Sequence, residues 1–507
     1  RKLELEMADP VHILAIDQGT TSTRSIVFDR ESRPIATAQT ELQQFYPRVG
    51  WVEHDPEQIW RDTLATARQA IKESGVGARG ITAIGIANQR ETVVIWDRVT
   101  GEPIHRAIVW QDRRTTEICA QLRADGVEQV VQQRTGLRLD PYFSATKASW
   151  ILNAVPGARQ RAERGELAFG TIDCFLLWRL TGGAVHATDV TNAARTMLYD
   201  IRRQDWDDEL CELLQIPCGM LPEVHDNSHI YGATVRELLG QSIPIAGMAG
   251  DQQAALFGQT CFNPGMSKAT YGTGCFTLLN TGSEAPVSGH NLITTPAYRL
   301  GGEMTYALEG SIFAAGAAVK WLRDGLGIIT HARDTDGMAA QISGNDGVYM
   351  VPAFVGLGAP YWDPEARASI LGLTFGSTAA HLARAALEAV AYQTLDLTDA
   401  MKSDGCETMS LRIDGGMAAN DWLCQFLADI RDAPVERPLH LETTALGASY
   451  HAGLAVGLWP SLDALSQGWT AGGRFEPRMR PAERCSLLEG WRDAVARTLS
   501  KQATSRL

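Results

Sequence analysis

Residues 11–24 constrain the fold of this chain more than any other part of the sequence. A short apolar, β-branched run, 11–16, ends abruptly at Asp17. Hydroxyl side chains and Arg24 follow, and a second β-rich run begins at Ser25. This order predicts a strand, a tight polar turn and a second strand.

The side chains of this turn are those that a polyphosphate requires. Gly19 lets the backbone approach a ligand closely, and Arg24 brings positive charge. Asp17, at the strand end, is a natural ligand for the Mg²⁺ that accompanies phosphates. Hydroxyl and backbone donors come from Thr20, Thr21 and Ser22. An ordinary hairpin with a polar turn is the alternative interpretation.

The length, charge and cysteines limit the class of protein. A chain of 507 residues exceeds what one hydrophobic core usually supports, so we expect two large domains. A net charge of −13 disfavours nucleic acid as a partner, and we expect no membrane insertion because no long apolar run occurs. Nine cysteines without a Cys-x-x-Cys pair indicate a reducing, cytoplasmic compartment. Residues 1–6 lack the apolar core of a signal peptide, and Met7 is the expected natural start.

Two common nucleotide-binding motifs can be set aside. Residues 55–74 predict an amphipathic helix, with Asp55 as its cap and Pro56 in its first turn. The G-x-G-x-x-G at 75–80 follows this helix and precedes a strand at 81–87, whereas the dinucleotide fingerprint needs the reverse order. No G-x-x-x-x-G-K-[ST] occurs, which removes the P-loop route to ATP.

A second polar segment, residues 88–92, separates two apolar strands. Five polar residues between buried strands are unfavourable unless they face water or a ligand. Arg90 and Glu91 place a donor fork beside an acceptor, a pairing that suits neutral hydroxyl groups. A solvated turn with a surface ion pair is the alternative.

Aromatic residues mark two further polar patches. Trp110 ends the apolar run 107–109, and Tyr142 lies in the segment 140–147. The Tyr142 hydroxyl could bind a polyol while Trp110 packs on the C–H face of the same ligand. Without other context, plain core packing is the favoured interpretation of either ring.

The opening pattern returns near residue 250. An apolar strand at 243–250 ends in Asp251 and Gln252, as the first strand ends in Asp17 and Gln18. A second donor-rich turn follows at Gly272, Thr273 and Gly274. Two similar strand ends, half a chain apart, suggest two related domains that face each other across a cleft. We place these domains at residues 10–250 and 251–507.

The second half adds further small residues. Residues 310–316 predict the start of a helix that carries Lys320, and a helix start of small residues suits phosphate or a nucleoside, although it also permits close packing. A strand at 411–414 ends in an aspartate, at the edge where ligands bind in α/β sheets. It is followed by Gly415, Gly416 and Asn420. From about residue 459 onward we expect exposed helices without chemistry.

Taken in order, these motifs resemble those of the carbohydrate-kinase family that shares the actin-like, ribonuclease-H-like ATPase fold. The matching segments are Asp-Gln-Gly-Thr-Thr-Ser-x-Arg, Asn-Gln-Arg-Glu-Thr, Trp-Gln-x-Arg-Arg, Asp-Pro-Tyr-Phe-Ser-x-Thr-Lys, Gly-Asp-Gln-Gln, Tyr-Gly-Thr-Gly-Cys-Phe and Asp-Gly-Gly. The resemblance runs from Ile13 to about Trp459. It implies an α/β fold in which two ribonuclease-H-like (actin-like ATPase) domains flank a catalytic cleft.

The resemblance also implies a reaction, the transfer of the γ-phosphoryl group of ATP to a terminal hydroxyl of glycerol, with Mg²⁺ as cofactor and Asp251 as general base. The implied polyol-binding residues are Arg90, Glu91, Trp110, Tyr142, Asp251, Gln252 and Phe276. The implied phosphate-binding residues are Thr20, Thr21, Ser22, Arg24 and Thr273, with Asp17 organising Mg²⁺. The implied nucleotide contacts are Gly316, Lys320, Gly415, Gly416 and Asn420, although many relatives carry glutamine at the position of Lys320.

Two alternatives stay open. A pentulose or gluconate kinase of the same family would be expected to lack the Asn-Gln-Arg-Glu-Thr and Trp-Gln motifs. A non-transferring ATPase or scaffold, like actin, would need no polyol pocket. By analogy with the family we expect a homodimer or homotetramer, with glycerol and ATP or ADP as small-molecule partners.

Overall fold

A computed structural model describes residues 11–500, so the expected start at Met7 lies outside the described residues. The strands are β1 (His12–Gln18), β2 (Ser22–Phe28), β3 (Pro34–Glu41), β4 (Glu53–His54), β5 (Ile81–Asn88), β6 (Val94–Asp97), β7 (Ala107–Ile108), β8 (Leu167–Gly170), β9 (Ala187–Asp189), β10 (Tyr199–Asp200), β11 (Asp205–Trp206), β12 (Glu223–His225), β13 (Ser228–Ala233), β14 (Pro244–Gly250), β15 (Met266–Tyr271), β16 (Cys275–Gly282), β17 (Ile293–Leu300), β18 (Glu303–Ile312), β19 (Tyr349–Val351), β20 (Ser369–Leu371), β21 (Ser410–Asp414), β22 (Val435–Pro438) and β23 (Ala471–Phe475).

The α-helices are α1 (Pro56–Ser74), α2 (Thr116–Ala124), α3 (Val127–Thr135), α4 (Ser144–Ala154), α5 (Ala158–Glu163), α6 (Ile172–Leu180), α7 (Val190–Ala193), α8 (Asp208–Leu213), α9 (Arg236–Leu239), α10 (Asp251–Gly258), α11 (Gly316–Asp324), α12 (Asp334–Ala340), α13 (Ala379–Ser403), α14 (Asp421–Arg431), α15 (Thr443–Ala455), α16 (Leu462–Gly468) and α17 (Pro481–Thr498). Short 3-10 helices lie at Ala78–Gly80, Cys218–Met220 and Gly416–Ala419.

Six strands form the first sheet, in the order β13-β14-β5-β1-β2-β3. Strand β1 runs antiparallel to β2 and parallel to β5, and β5 runs parallel to β14. The apolar runs that predicted β1 and β5 are buried on both faces, as the central strands of such a sheet require. The predicted strand–turn–strand of the opening segment is therefore confirmed.

The second sheet repeats this arrangement in the order β17-β18-β16-β15-β21-β22-β23. Strand β15 is antiparallel to β16 and parallel to β21, and β21 is parallel to β22. Strands β16 and β18 pair antiparallel, as β2 and β3 do in the first sheet. Both sheets thus contain three antiparallel strands followed by two parallel ones, which is what two related domains predict. The boundary between residues 250 and 251 stays a prediction.

Helices α10 and α15 lie between the two sheets. Helix α15 packs on β1, β5 and β14, whereas α10 packs on α15 and approaches β15, β16 and β17. The two helices cross through glycines: an added Cβ at Gly447 would lie 1.8 Å from the carbonyl oxygen of Ala254, and one at Gly258 would lie 2.0 Å from that of Thr443. The absence of a side chain at these glycines therefore sets how closely the halves approach each other.

Three expectations from the sequence are corrected by the structure. Residues 310–312 end β18, and the helix that was expected to open at residue 310 begins at Gly316. The C-terminal segment contains β23, an edge strand of the second sheet, whose two glycines conceal any alternating pattern. Asp251 begins α10, whereas Asp17 lies near the end of β1, just before the turn of the β1–β2 hairpin. The structural counterpart of this hairpin in the second sheet is β15–β16.

The two ends of α1 follow the signals in its sequence. Helix α1 begins where its capping signal predicts, because the Asp55 carboxylate accepts the backbone N–H of Glu57 at 3.0 Å. The helix ends at Gly75 in the left-handed conformation, with φ of 74°. All nine cysteines are free thiols. Within residues 11–500, none of the helices has the length and apolar character needed to cross a bilayer.

Candidate active site

Two aspartates lie at the same edge of the first sheet. Asp17, in β1, is level with Ala87 of β5, which is level with Ala249 of β14. Asp251 follows directly after β14. Because β1, β5 and β14 are parallel, their carboxyl ends lie at one edge of the sheet, and so do the two aspartates. Burial raises the pKa of Asp17 to about 6, while Arg24 opposes this shift and the negative charge of Asp251 adds to it. The two carboxylates therefore lie within electrostatic range of each other.

The polar turn after β1 is held from two sides. The backbone N–H of Gly19 donates to the carbonyl of Ser22 at 2.9 Å, and the side-chain amide of Gln89 donates to the Gly19 carbonyl at 3.1 Å. The indole N–H of Trp110 donates to the Thr20 hydroxyl at 2.8 Å. This hydrogen bond joins the polar turn after β1 to Trp110, which the sequence analysis treated as a separate patch.

Two other predicted phosphate-binding residues of this hairpin, Thr21 and Arg24, make contacts away from Trp110. Thr21 is exposed, and its carbonyl accepts the backbone N–H of Leu42 at 2.9 Å. The Arg24 guanidinium donates to the side-chain oxygen of Gln39 at 3.0 Å and contacts the carboxylate of Glu442. Because Glu442 directly precedes α15, the predicted phosphate-binding arginine already contacts an acidic group of the second half of the chain.

Four buried charges lie behind the end of β5. This four-charge cluster consists of Arg90, Glu91, Arg195 and Glu309. Arg90 donates from both terminal nitrogens to the two carboxylate oxygens of Glu309, at 2.6 and 3.2 Å, and Arg195 Nη2 donates to the same carboxylate at 2.9 Å. Arg195 Nε also donates to Glu91. No side chain of the cluster is more than 2% exposed, so the solvated turn considered for Arg90 and Glu91 is wrong.

The electrostatics of the cluster differ between its two acids. Burial disfavours the ionised form of Glu309, but Arg195 and Arg90 outweigh it and lower the pKa of Glu309 to about 2. Burial dominates at Glu91 and raises the pKa of that carboxyl, against Arg195 and Arg90. Among the described residues, no hydrogen-bond acceptor reaches Arg195 Nη1. Glu309 is therefore the firmly ionised partner of both arginines.

Sequence reasoning missed Arg195 and Glu309. The available signal was the position of Glu309 directly after the apolar run 306–308, since a carboxylate that is buried with such a run needs a cationic partner. Arg195 lies in a buried loop just after α7, where nothing in the local pattern marks it as part of a site.

Three aromatic rings adjoin the cluster. The Trp110 ring meets that of Tyr142 edge to face at 5.5 Å and that of Phe276 at 6.3 Å. The Arg90 guanidinium carbon lies 5.8 Å from the centre of the Phe276 ring. Buried Lys147 donates to the Tyr142 carbonyl and, at 3.2 Å, to the carbonyl of the preceding residue, and burial lowers the pKa of Lys147 to about 7. The rings give the site apolar walls beside charged donors and acceptors.

Asp251 lies next to this group, at the first position of α10. Its Oδ1 is 3.2 Å from Arg90 Nε and accepts the backbone N–H of Gln252 at 2.7 Å. Burial raises the pKa of Asp251, whereas Arg90 and Lys268 lower it. Lys268, which sequence reasoning also missed, donates to the side-chain oxygen of Gln252 and to the Thr270 hydroxyl at 2.9 Å. A partly exposed carboxylate with a raised pKa is suited to accept a proton from a bound hydroxyl.

The second half contributes a glycine-lined edge. The backbone N–H of Gly316 donates to the Gly272 carbonyl at 3.0 Å, and the Thr273 carbonyl accepts the N–H of Ala315 at 2.9 Å. A Cβ added at Gly316 would lie 2.6 Å from the Gly272 oxygen. Gly415 has φ of 85°, and a Cβ there would lie 2.5 Å from the carbonyl oxygen that ends β15. The start of α11 and the diglycine thus flank the β15–β16 turn.

The remaining predicted nucleotide residues are less closely tied to this turn. Gly416 is exposed at the start of a 3-10 helix. Asn420 caps α14, accepting the N–H of Leu423 at 2.8 Å, and its amide donates to the Thr335 hydroxyl at 3.3 Å. Lys320 is exposed, one turn after the start of α11. Their nucleotide contacts stay predictions.

Comparisons with known proteins agree with this architecture. Residues 12–258 match the N-terminal domain of the FGGY family of carbohydrate kinases, and residues 267–456 match its C-terminal domain. The chain belongs to the FGGY family. The resemblance drawn from the ordered motifs is confirmed, and the chain is a carbohydrate kinase.

Proteins similar to this carbohydrate kinase include a bacterial relative and two solved structures. It is 61% identical to a glycerol kinase of Gluconobacter oxydans, over 97% of this chain and 96% of that protein. The crystal structure of a Plasmodium falciparum glycerol kinase with ADP superposes with a TM-score of 0.91 at 38% identity, over 97% and 99% of the two chains. A gluconate kinase from Lactobacillus acidophilus superposes with a TM-score of 0.85 at 22% identity, over 96% and 98%, which shows the shared fold. The predicted two-domain α/β architecture is thereby confirmed.

The carboxylates of this FGGY kinase fit a divalent cation of the magnesium type. Mg²⁺ is usually bound by one or two carboxylates, water and substrate phosphates rather than by a protein cage. Within the described part of the chain, no group of three or more His, Cys, Asp or Glu side chains could hold a metal. The raised pKa of Asp17, caused by burial and increased by Asp251, shows a site where added positive charge would be favourable.

Proposed function

We propose that this FGGY kinase transfers the γ-phosphoryl group of ATP to a terminal hydroxyl of glycerol, giving sn-glycerol 3-phosphate and ADP. The proposal rests on one observation: Arg90, Glu91 and Asp251 lie beside three aromatic rings. These rings are Trp110, Tyr142 and Phe276. Charged donors and acceptors beside apolar ring faces match a small polyol, which is polar at its hydroxyls and apolar at its C–H groups. The glycerol kinase names of relatives near 60% identity support the same substrate.

In this proposal each part of the pocket has a separate task. The hydroxyls of glycerol bind the polar residues, and the carbons lie between two rings. The hydrogen-bonding residues are Arg90, Glu91, Tyr142, Asp251 and Gln252. The flanking rings are Trp110 and Phe276.

The reaction needs alignment and charge neutralisation more than covalent help from the protein. Asp251 accepts the proton of the reacting hydroxyl, and the freed oxygen electron pair forms a bond to the γ-phosphorus. The bond between that phosphorus and the β–γ bridging oxygen breaks, and ADP leaves with the electron pair. Arg90, whose Nε lies 3.2 Å from Asp251 Oδ1 in an ion pair, favours the ionised carboxylate against the effect of burial.

The triphosphate is proposed to bind across both halves. The phosphate donors are Thr20, Thr21, Ser22, Arg24 and Thr273, and the nucleoside side is lined by Gly316, Lys320, Gly415, Gly416 and Asn420. Arg24 would exchange its Glu442 contact for phosphate oxygens, which are acceptors of the same charge sign. Mg²⁺, with Asp17 as its protein ligand, would neutralise phosphate charge when bound.

The cellular setting belongs to the same proposal. Nine free thiols suit a reducing cytoplasm. A homodimer or homotetramer is proposed from the family resemblance alone. With a net charge of −13, neither nucleic acid nor an anionic membrane is proposed as a partner.

A substrate panel tests the function. ADP release is coupled to NADH oxidation, with glycerol, D-xylulose, gluconate and no acceptor compared under identical Mg-ATP. We expect glycerol to give by far the highest kcat/KM and the reaction without acceptor to be negligible. Faster turnover of xylulose or gluconate would make the chain a pentulose or gluconate kinase, which is the runner-up.

Asp251→Asn tests the base. Loss of a positioned base should lower kcat by about 10²–10⁴. Binding of a non-hydrolysable ATP analogue, measured by calorimetry, should be unchanged. Asp208→Asn, which alters an exposed aspartate at the first position of α8, is the matched control and should keep full activity. Glycerol-dependent turnover within threefold of the parent enzyme would exclude Asp251 as the base.

A further inference from the structure

Glu309 occupies an unusual place in the site. It belongs to β18 of the second sheet, yet its carboxylate binds Arg90 and Arg195, both of which belong to the first half of the chain. It is 1% exposed and lies behind Arg90, whose Nε side faces Asp251. Glu309 therefore acts on the pocket through the arginines and does not reach the reacting atoms.

The carboxylate of Glu309 occupies the two terminal N–H donors of Arg90, which could otherwise bind a substrate carboxylate. A guanidinium binds a carboxylate most strongly through two parallel N–H groups. In Arg90 both terminal nitrogens already donate to Glu309, at 2.6 and 3.2 Å, which leaves Nε as the donor beside Asp251. A substrate carboxylate entering this pocket finds that pair of donors occupied.

Glu309 also balances the charge of the cluster. Two guanidiniums are matched by two carboxylates, and the low pKa of Glu309, which Arg195 and Arg90 cause against the effect of burial, keeps it ionised across the physiological range. Without Glu309 the cluster would carry one net positive charge next to the substrate. Such a charge attracts anionic ligands and leaves neutral ones unaffected.

We propose that Glu309 is a specificity-determining positioning residue, which restricts the pocket to uncharged polyols and rejects hydroxy acids of the same length. The rejection has two parts, the occupied donor pair of Arg90 and the neutral balance of the four-charge cluster. The inference rests on the proposed function in placing the polyol beside Arg90.

A purely structural role makes a different prediction. If Glu309 only joined the two halves of the chain, its removal would weaken every ligand to a similar degree and lower stability. A role in specificity changes the ratio between an acid and a neutral polyol. The two roles are therefore separated by comparing two ligands in one variant.

The test uses glycerol and D-glycerate, which share a three-carbon hydroxylated chain and differ by the carboxylate. Calorimetry gives the dissociation constant of each ligand for the parent chain and for Glu309→Gln, a change that keeps shape and removes charge. We expect the ratio of the glycerate constant to the glycerol constant to fall by about tenfold or more, since one unit charge changes close to the ligand. Glu309→Asp, which keeps the charge, should stay nearer the parent ratio.

Two further variants change the charge of the four-charge cluster in other ways and serve as controls. Arg195→Gln shifts the cluster charge in the opposite direction and should raise the ratio, and it provides the answer if Glu309→Gln does not fold. The double variant Arg195→Gln/Glu309→Gln restores charge balance and should move the ratio back toward that of the parent.

An unchanged ratio in Glu309→Gln, or in Arg195→Gln where only that variant folds, overturns the inference. Because binding is measured without turnover, this result stands apart from the kinase assay. A parent chain that binds glycerol but does not phosphorylate it would instead overturn the proposed function.

Discussion

Replacing Asp17 with asparagine should stabilise the ligand-free protein while removing its activity. Burial and the nearby Asp251 charge raise the pKa of Asp17 from 3.8 to about 6, against the influence of Arg24. A shift of this size corresponds to about 3 kcal/mol of unfavourable free energy in the folded state at neutral pH. Because the side chain keeps some contact with solvent, we expect Asp17→Asn to gain about 1–3 kcal/mol.

The pH dependence of this gain identifies its cause. Between pH about 4 and 6 the folded state still holds a proton that the unfolded chain has lost, so the penalty on the parent grows as pH rises through this window. Above pH about 6 the penalty is complete. Urea unfolding at pH 7.5 should therefore show the full advantage of Asp17→Asn, and at pH 4 most of it should have disappeared.

The assay pairs stability with function. Mg-ATP should stabilise the parent more than Asp17→Asn, because a ligand that binds only the folded state stabilises it more when its Kd is lower. Asp396→Asn is the control, since burial also raises the pKa of Asp396 to about 6 but this carboxylate binds Trp491 and Tyr361 outside the site. That variant should keep its kinase activity. An Asp17→Asn protein that is less stable than the parent at pH 7.5, or equally stable at both pH values, would refute the reasoning.

Two further predictions concern the walls of the site. Lys147→Met removes two hydrogen bonds to backbone carbonyls of the Tyr142 loop, so the KM for glycerol should rise about tenfold with a smaller change in kcat, as measured by steady-state kinetics. An unchanged KM would mean that the loop holds its position without Lys147. Gly316→Ala places a Cβ 2.6 Å from the Gly272 oxygen and should raise the KM for ATP while leaving that for glycerol unchanged. Gly337→Ala, whose Cβ meets nothing within 4 Å, is its control, and equal ATP kinetics in the two variants would contradict the proposed role of this edge.

The local parts of this fold could be predicted because their signals are local. The β-branched run before Asp17 and the polar turn after it define β1, the turn and β2, and Asp55 with Pro56 fixes the start of α1. In both places the side chains that determine the structure are neighbours in sequence. The edge strand β23 was missed because its Ala-Gly-Gly sequence relies on pairing with β22 rather than on its own pattern.

The partners within the site could not be predicted in the same way. Arg90 and Glu309 are 219 positions apart, and Arg195 and Glu309 are 114 apart. A glutamate in a strand is normally taken as solvent-facing, and only the packing of β18 against the first half makes it an internal counter-ion. The contact of Arg24 with Glu442 is of the same kind, since both ends look like surface residues until the halves are assembled.

The glycine crossing of α10 and α15 has a consequence for how the two halves can move. Main-chain atoms meet at these two glycines, but next to them the Phe257 ring of α10 stacks on the His451 ring of α15 with 3.8 Å between the ring centres, so a slide or rotation between the helices has to carry this ring pair with it. A larger residue at either position is not tolerated, because a methyl group at Gly258 or Gly447 would clash with main-chain atoms of the other helix and force the two helices apart. Gly258 and Gly447 are therefore the positions in this contact at which any larger residue would push the two halves of the chain apart.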